Sequence, residues 1–194
     1  PVANAQSVIT NEDTSKPITL TGSDIDGNAL NYSVVSNPVN GTLSGTAPNL
    51  TYTPNNNYNG NDSFTFKVND GTINSSIATV SITVNAANDA PVANDMTATM
   101  DENKIAGRYQ PVSIFLNATD VDGDDLTYSV VGSSTNGTLG SINGNQIIYT
   151  PTQDYNGEDT FTYKANDGTV DSNTATVTIT INSVNDAPVT TDQT

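Results

Sequence analysis

The chain has 194 residues with no cysteine, histidine or tryptophan, and 21 acidic side chains against five basic ones give a formal charge of −16. Disulfides, thiol chemistry, imidazole–zinc sites and a Ser-His-Asp triad are excluded, and a nucleic-acid partner is disfavoured because its phosphates would be repelled. No apolar run approaches the roughly 20 residues of a membrane-spanning helix, while abundant Gly, Pro, Asn, Asp, Ser and Thr favour short strands and turns.

In chain order, Ser7–Thr10 reads as a first strand, Ile18 and Leu20 mark a second, and Tyr32 with Val34 a third. Thr42–Leu43 is a weak fourth and Leu50–Thr53 a fifth. The last two are the strongest. Phe64, Phe66 and Val68 alternate with Thr65 and Lys67, and Val80, Ile82 and Val84 alternate with Ser81 and Thr83. Each therefore has one apolar and one polar face. Tyr58, just before the sixth strand, is expected to close a corner.

The pattern then starts again. Leu30–Val35 (LNYSVV) matches Leu126–Val131 (LTYSVV), Asn40–Leu43 recurs as Asn136–Leu139, and Tyr52-Thr53-Pro54 recurs as Tyr149-Thr150-Pro151. Tyr58–Val68 (YNGNDSFTFKV) matches Tyr155–Ala165 (YNGEDTFTYKA), and Ala78–Val84 matches Ala175–Ile181. The extra length of the second copy falls around Ile105–Gln110 and Asn143–Gln146, both turn-like. Asn88-Asp89-Ala90-Pro91-Val92 returns at Asn185–Val189, and the chain begins with the matching Pro1-Val2. These prolines are expected to stiffen the start of each copy. Seven short strands in roughly 90–100 residues predict an all-β fold: two tandem Greek-key β-sandwich modules of immunoglobulin-like type. The modules are assigned to residues 1–89 and 90–186, with 187–194 beginning the next linker or module.

Acidic residues recur at fixed places in the repeat. They are Glu12-Asp13 and Asp101-Glu102, then Asp24-Ile25-Asp26-Gly27 and Asp120-Val121-Asp122-Gly123-Asp124-Asp125, then Asp62 and Glu158-Asp159, then Asp70-Gly71 and Asp167-Gly168. All flank strands or lie in turns. Calcium takes six to eight oxygens, and Asp-x-Asp-Gly presents two short carboxylates on one side of a tight turn. Asp-Gly is also an ordinary turn former. Its recurrence beside the other acidic positions, with an acidic tag at the module junction, favours calcium.

This ensemble resembles the cadherin-like repeats found in tandem in large bacterial surface and secreted proteins. The resemblance covers the whole chain, twice, and implies immunoglobulin-like sandwiches whose junctions bind calcium. Carried over residue by residue, it implies a junction built by Glu12, Asp62, Asn88 and Asp89 from the first copy with Asp120, Asp122 and Asp167 from the second. Asp24, Asp26 and Asp70 would serve a junction with a preceding module, and Glu102, Asp159, Asn185 and Asp186 one with a following module. Some bacterial members bind calcium within a module, where Asp120, Asp122, Asp124 and Asp125 could gather by themselves. The first-copy acids and the linker are sparser than the cadherin pattern, so the number of ions stays open.

The expected function is that of a calcium-rigidified, non-enzymatic repeat of an extracellular bacterial protein, with a spacer or adhesion role. Its expected partners are calcium, neighbouring modules and, in the adhesin reading, a second copy of the protein. The alternative is a polysaccharide-binding module, with Tyr109, Tyr128, Tyr149 and Tyr163 as candidate sugar platforms. Strand alternation assigns all of these but Tyr109 to core or strand faces. A threonine face at Thr176, Thr178 and Thr180 is a further, weaker surface for ice or mineral.

Overall fold

A computed structural model describes residues 1–102, 104–105 and 108–185; at 104–105 and 108–109 it describes the backbone only. The described residues contain strands and turns but no helix. They divide into two compact units, Pro1–Ala87 and a second that begins at Asn88.

The first unit contains β1 (Val2–Ala3), β2 (Gln6–Asn11), β3 (Lys16–Thr19), β4 (Gly22–Ser23), β5 (Asn31–Ser36), β6 (Gly41–Thr46), β7 (Asn49–Pro54), β8 (Gly60–Asn69) and β9 (Ala78–Asn85). One sheet has the order β2-β9-β8-β5 and the other β3-β7-β6. β2 runs parallel to β9, with Gln6 opposite Val80, and the remaining pairs are antiparallel. The alternation read from the sequence decides what goes inside. Phe64, Phe66, Val68, Val80, Ile82 and Val84 turn inward from β8 and β9 onto Ile18, Leu50 and Tyr52 of the opposing sheet. Each such burial contributes on the order of 2 kcal/mol.

β6 is six residues long, against the two expected at Thr42–Leu43. Its glycines hide the apolar pattern, but pairing with β7 from Gly41–Pro54 to Thr46–Asn49 carries the whole segment. Leu20 falls just past β3 yet is buried, its N–H donating to Pro48 O at 2.8 Å. The corner tyrosine is as expected: Tyr58 donates its hydroxyl to Asn61 O at 2.7 Å, and Tyr155 to Glu158 O at 2.7 Å.

The second unit contains β10 (Val92–Ala93), β11 (Met96–Asp101), β12 (Lys104–Ile105), β13 (Arg108–Tyr109), β14 (Val112–Phe115), β15 (Ala118–Thr119), β16 (Thr127–Gly132), β17 (Gly137–Leu139), β18 (Gln146–Pro151), β19 (Gly157–Asn166) and β20 (Ala175–Asn182). Its two main sheets repeat the plan, as β11-β20-β19-β16 and β14-β18-β17. Both insertions, at places the sequence marks as turn-like, contain antiparallel backbone pairing. The first forms the β12–β13 pair. The second is a tight turn in which the N–H and C=O groups of Asn143 and Gln146 bond reciprocally at 2.9 and 3.0 Å.

Candidate metal centre

In the second unit the loop between β15 and β16 is folded by one carboxylate oxygen. Asp120 Oδ1 accepts from the N–H groups of Asp122, Gly123 and Asp124 at 2.9, 3.0 and 3.2 Å. Gly123, at φ +82°, supplies the left-handed turn. The other oxygen, Asp120 Oδ2, is buried and accepts no hydrogen bond among the described residues. One carboxylate oxygen from each of Asp120, Asp122 and Asp124 lies within 4.8 Å of the others. Two ligands on opposite sides of a calcium ion, each at about 2.4 Å, are about 4.8 Å apart, so one such ion can touch all three.

Two other segments converge on this loop. Asp89 donates its backbone N–H to Asp122 Oδ2 at 2.8 Å, and Asn88 donates its amide to Asp167 Oδ2 at 2.8 Å. Asp167 sits in the turn after β19, where its Oδ1 accepts from Thr169 and Val170 N–H at 2.6 and 2.7 Å. Asn88 and Asp89, assigned by sequence to the first module, therefore belong by contact to the second unit. Loss of water and then the charges of Asp120, Asp122, Asp167 and Asp125 hold the Asp124 carboxyl above its usual range. The Asn88 amide and then the Val170 N–H hold Asp167 below it. The donors are all hard oxygens, which suit calcium or magnesium and not zinc or copper.

Of the residues expected at the junction, the structure gathers Asn88, Asp89, Asp120, Asp122 and Asp167, together with Asp124, which the reading of a site within one module had named. The sequence signal for Asp124 is the spacing of three aspartates at alternate positions around a glycine.

The corresponding loop of the first unit is similar but poorer in charge. Asp24 Oδ1 accepts from Asp26 and Asn28 N–H at 2.9 and 3.2 Å, and Asp70 Oδ1 from Thr72 and Ile73 N–H at 2.7 Å each. These N–H groups, led by those of Asn28 and Ile73, lower both carboxyls, while the charge of Asp24 opposes ionisation of Asp70. Asn28 and Ala29 stand where the second unit has Asp124 and Asp125.

Four expected ligands do other work inside their own units. Asp62 accepts from Val39, Asn40 and Ser63 N–H and from the Tyr52 hydroxyl, all at 2.8–3.0 Å. Asp159, 3% exposed, accepts from Thr135, Asn136 and Thr160 N–H and from the hydroxyls of Thr135 and Tyr149. A carboxylate has about four lone-pair sites, so these two are committed to protein donors of their own units. Glu12, also 3% exposed, accepts from Ala87 N–H at 2.6 Å, and Glu102 from Val184 N–H at 2.8 Å. Each of these glutamates holds the chain leaving the last strand of its unit. Asn185 is exposed just beyond β20, and Asp186 lies outside the described residues.

Tyr149 and Tyr163 are fully buried and leave no ring face for a sugar, while Tyr128, half-buried, packs beside Tyr163 with ring centroids 6.3 Å apart. The side chain of Tyr109 lies outside the described residues.

The profile of the family described as "Bacterial Ig domain" matches residues 1–83 and 88–180. The chain belongs to that family. Among curated proteins, the bacterial Ig pair is 27% identical to integrin beta-like protein A of Dictyostelium discoideum over 90% of this chain, and spans 11% of that protein. Among solved structures, it resembles human protocadherin-24 EC1-2, at 16% identity and a TM-score of 0.58, covering 95% of this chain and 98% of that one. Human CDH23 EC21-23 gives 19% identity and a TM-score of 0.55, covering 93% and 69%. These likenesses establish the fold: two bacterial Ig domains built like cadherin ectodomain repeats.

Proposed function

We propose that the second unit binds calcium through Asp120, Asp122 and Asp124, with Asp89 and Asp167 at the rim, and that the ion stiffens the linker of a non-catalytic extracellular repeat. The observation that carries this reading is that Asp120 keeps a buried carboxylate oxygen, Oδ2, with no hydrogen-bond donor among the described residues, while its carboxylate lies within an ion's reach of those of Asp122 and Asp124. An anionic oxygen in that position is costly unless a cation meets it. Asn88 and Asp89 directly follow the last residue of the first unit. An ion held against them restrains the segment that connects the two bacterial Ig domains. Asp24, Asp26 and Asp70 form the corresponding, weaker set of the first unit, while Glu12 and Glu102 tie down the chain leaving β9 and β20.

The role is that of a spacer or adhesion module in a secreted or surface protein, where calcium is abundant enough for modest-affinity sites. No helix among the described residues is long and apolar enough to cross a membrane. Calorimetric titration of the metal-stripped chain with calcium tests the site, paired with small-angle scattering on the same sample. The expected result is saturable binding that is weakened in Asp122→Asn and accompanied by a narrower range of particle dimensions. Absence of binding at millimolar calcium rejects the proposal.

A further inference from the structure

The first unit carries a groove of about 690 Å³ on the outward face of β8 and β9, remote in sequence from the calcium loop. It is lined by Asn61 and Ser63 from β8, Ser81 and Thr83 from β9, and Val39 and Asn40 from the β5–β6 connection. Asn61 faces Thr83 and Ser63 faces Ser81 across the strand pair. The four side chains are exposed, and none is used in a hydrogen bond among the described residues. The carboxylate at the groove, Asp62, is committed to four protein donors. The lining therefore offers hydroxyls and amides without an available formal charge, in a chain whose net charge is −16.

These features select the ligand class. β9 is paired on both sides along the groove, whereas β8 at Asn61–Ser63 is paired with β9 alone, and its Asp62 takes the Val39 and Asn40 N–H groups of the β5–β6 connection at 3.0 Å each. Polyanions are repelled by the net charge. A cation finds no carboxylate with a spare lone pair. A neutral, hydroxyl-rich ligand matches what remains, with Val39, 84% exposed, as an aliphatic wall for the C–H face of a sugar ring. We propose that this groove binds a neutral polysaccharide. The second unit does not repeat it: Glu158 replaces Asn61 there, and Thr135 replaces Val39.

Affinity electrophoresis of the whole chain through gels containing dextran, galactomannan or a soluble β-glucan tests the site, with alginate as the anionic comparison. The expected result is retardation by at least one neutral polymer, unchanged by EGTA and weakened about tenfold or more in Asn61→Glu and Ser81→Leu. Both substitutions are at exposed strand positions, and circular dichroism checks that folding is retained. Thr178→Leu, the matching change in the second unit, should leave retardation intact. Mobility unaffected by all three neutral polymers overturns the proposal, as does retardation by alginate alone or equal retardation of the groove variants. Persistence in EGTA separates this site from the calcium site, whose failure would leave the gel result unchanged.

Discussion

Tyr149 donates its hydroxyl to Asp159 Oδ2 at 2.8 Å, with the tyrosine ring fully buried and the carboxylate 3% exposed. The same carboxylate gathers the N–H groups of Thr135 and Asn136, so it pins the β16–β17 connection against β19. Asp159→Ala leaves these buried donors unsatisfied and is expected to cost about 3 kcal/mol or more. Tyr149→Phe removes one donor of several and should cost about 1 kcal/mol. Urea unfolding of the two variants measures both, and equal costs would contradict the arrangement.

The same carboxylate sets an acid sensitivity. Burial, the largest single effect, pushes the Asp159 carboxyl up, but the Tyr149 hydroxyl and three backbone N–H groups together bring it below its ordinary value. The unfolded chain thus binds this proton more readily than the folded one, so the associated stability is present above the unfolded value of about 3.9 and is lost as pH falls through the folded value. Asp159→Asn has no such proton to gain. The wild-type urea midpoint should fall on acidification from about pH 5 to pH 3 more than that of Asp159→Asn.

The proposed calcium site makes Asp124→Asn act in opposite directions with and without the ion. In metal-free buffer loss of water and then the charges of four other carboxylates raise the Asp124 carboxyl, so Asp124→Asn relieves repulsion and should raise the thermal midpoint of the second unit. With calcium the lost oxygen charge should weaken binding by about tenfold or more. Differential scanning calorimetry in EGTA and in excess calcium reads both signs. A variant less stable than wild type in EGTA would refute the repulsion argument.

Gly137 and Gly41 are required by a close approach. A Cβ on Gly137 would overlap the ring of Tyr149, and one on Gly41 the ring of Tyr52. Since each tyrosine is locked in a filled core, Gly137→Ala should destabilise by about 2 kcal/mol. Gly140→Ala, whose Cβ would meet Ile148 no closer than 3.5 Å, is the matched control for the urea experiment.

The alternation of Phe64, Phe66, Val68 and of Val80, Ile82, Val84 was enough to place two inward-facing strands, because side-chain direction in a strand has a period of two and needs only local sequence. The internal repeat did the same for domain number. Asp120, Asp122 and Asp124 were legible as a cluster because one turn of chain holds all three. The job of each remaining carboxylate was not legible. Asp62 and Asp159 look in sequence like Asp24 and Asp120: short acids beside strands. What separates them is the chain that folding brings to them. Val39 and Asn40 reach Asp62 from more than 20 positions away and fill its lone pairs, while no donor among the described residues reaches Asp120 Oδ2. Composition and periodicity determined the fold and where charge collects. Only the tertiary structure decided which of those charges are already satisfied by N–H and O–H groups, because hydrogen-bond saturation depends on contacts distant in sequence.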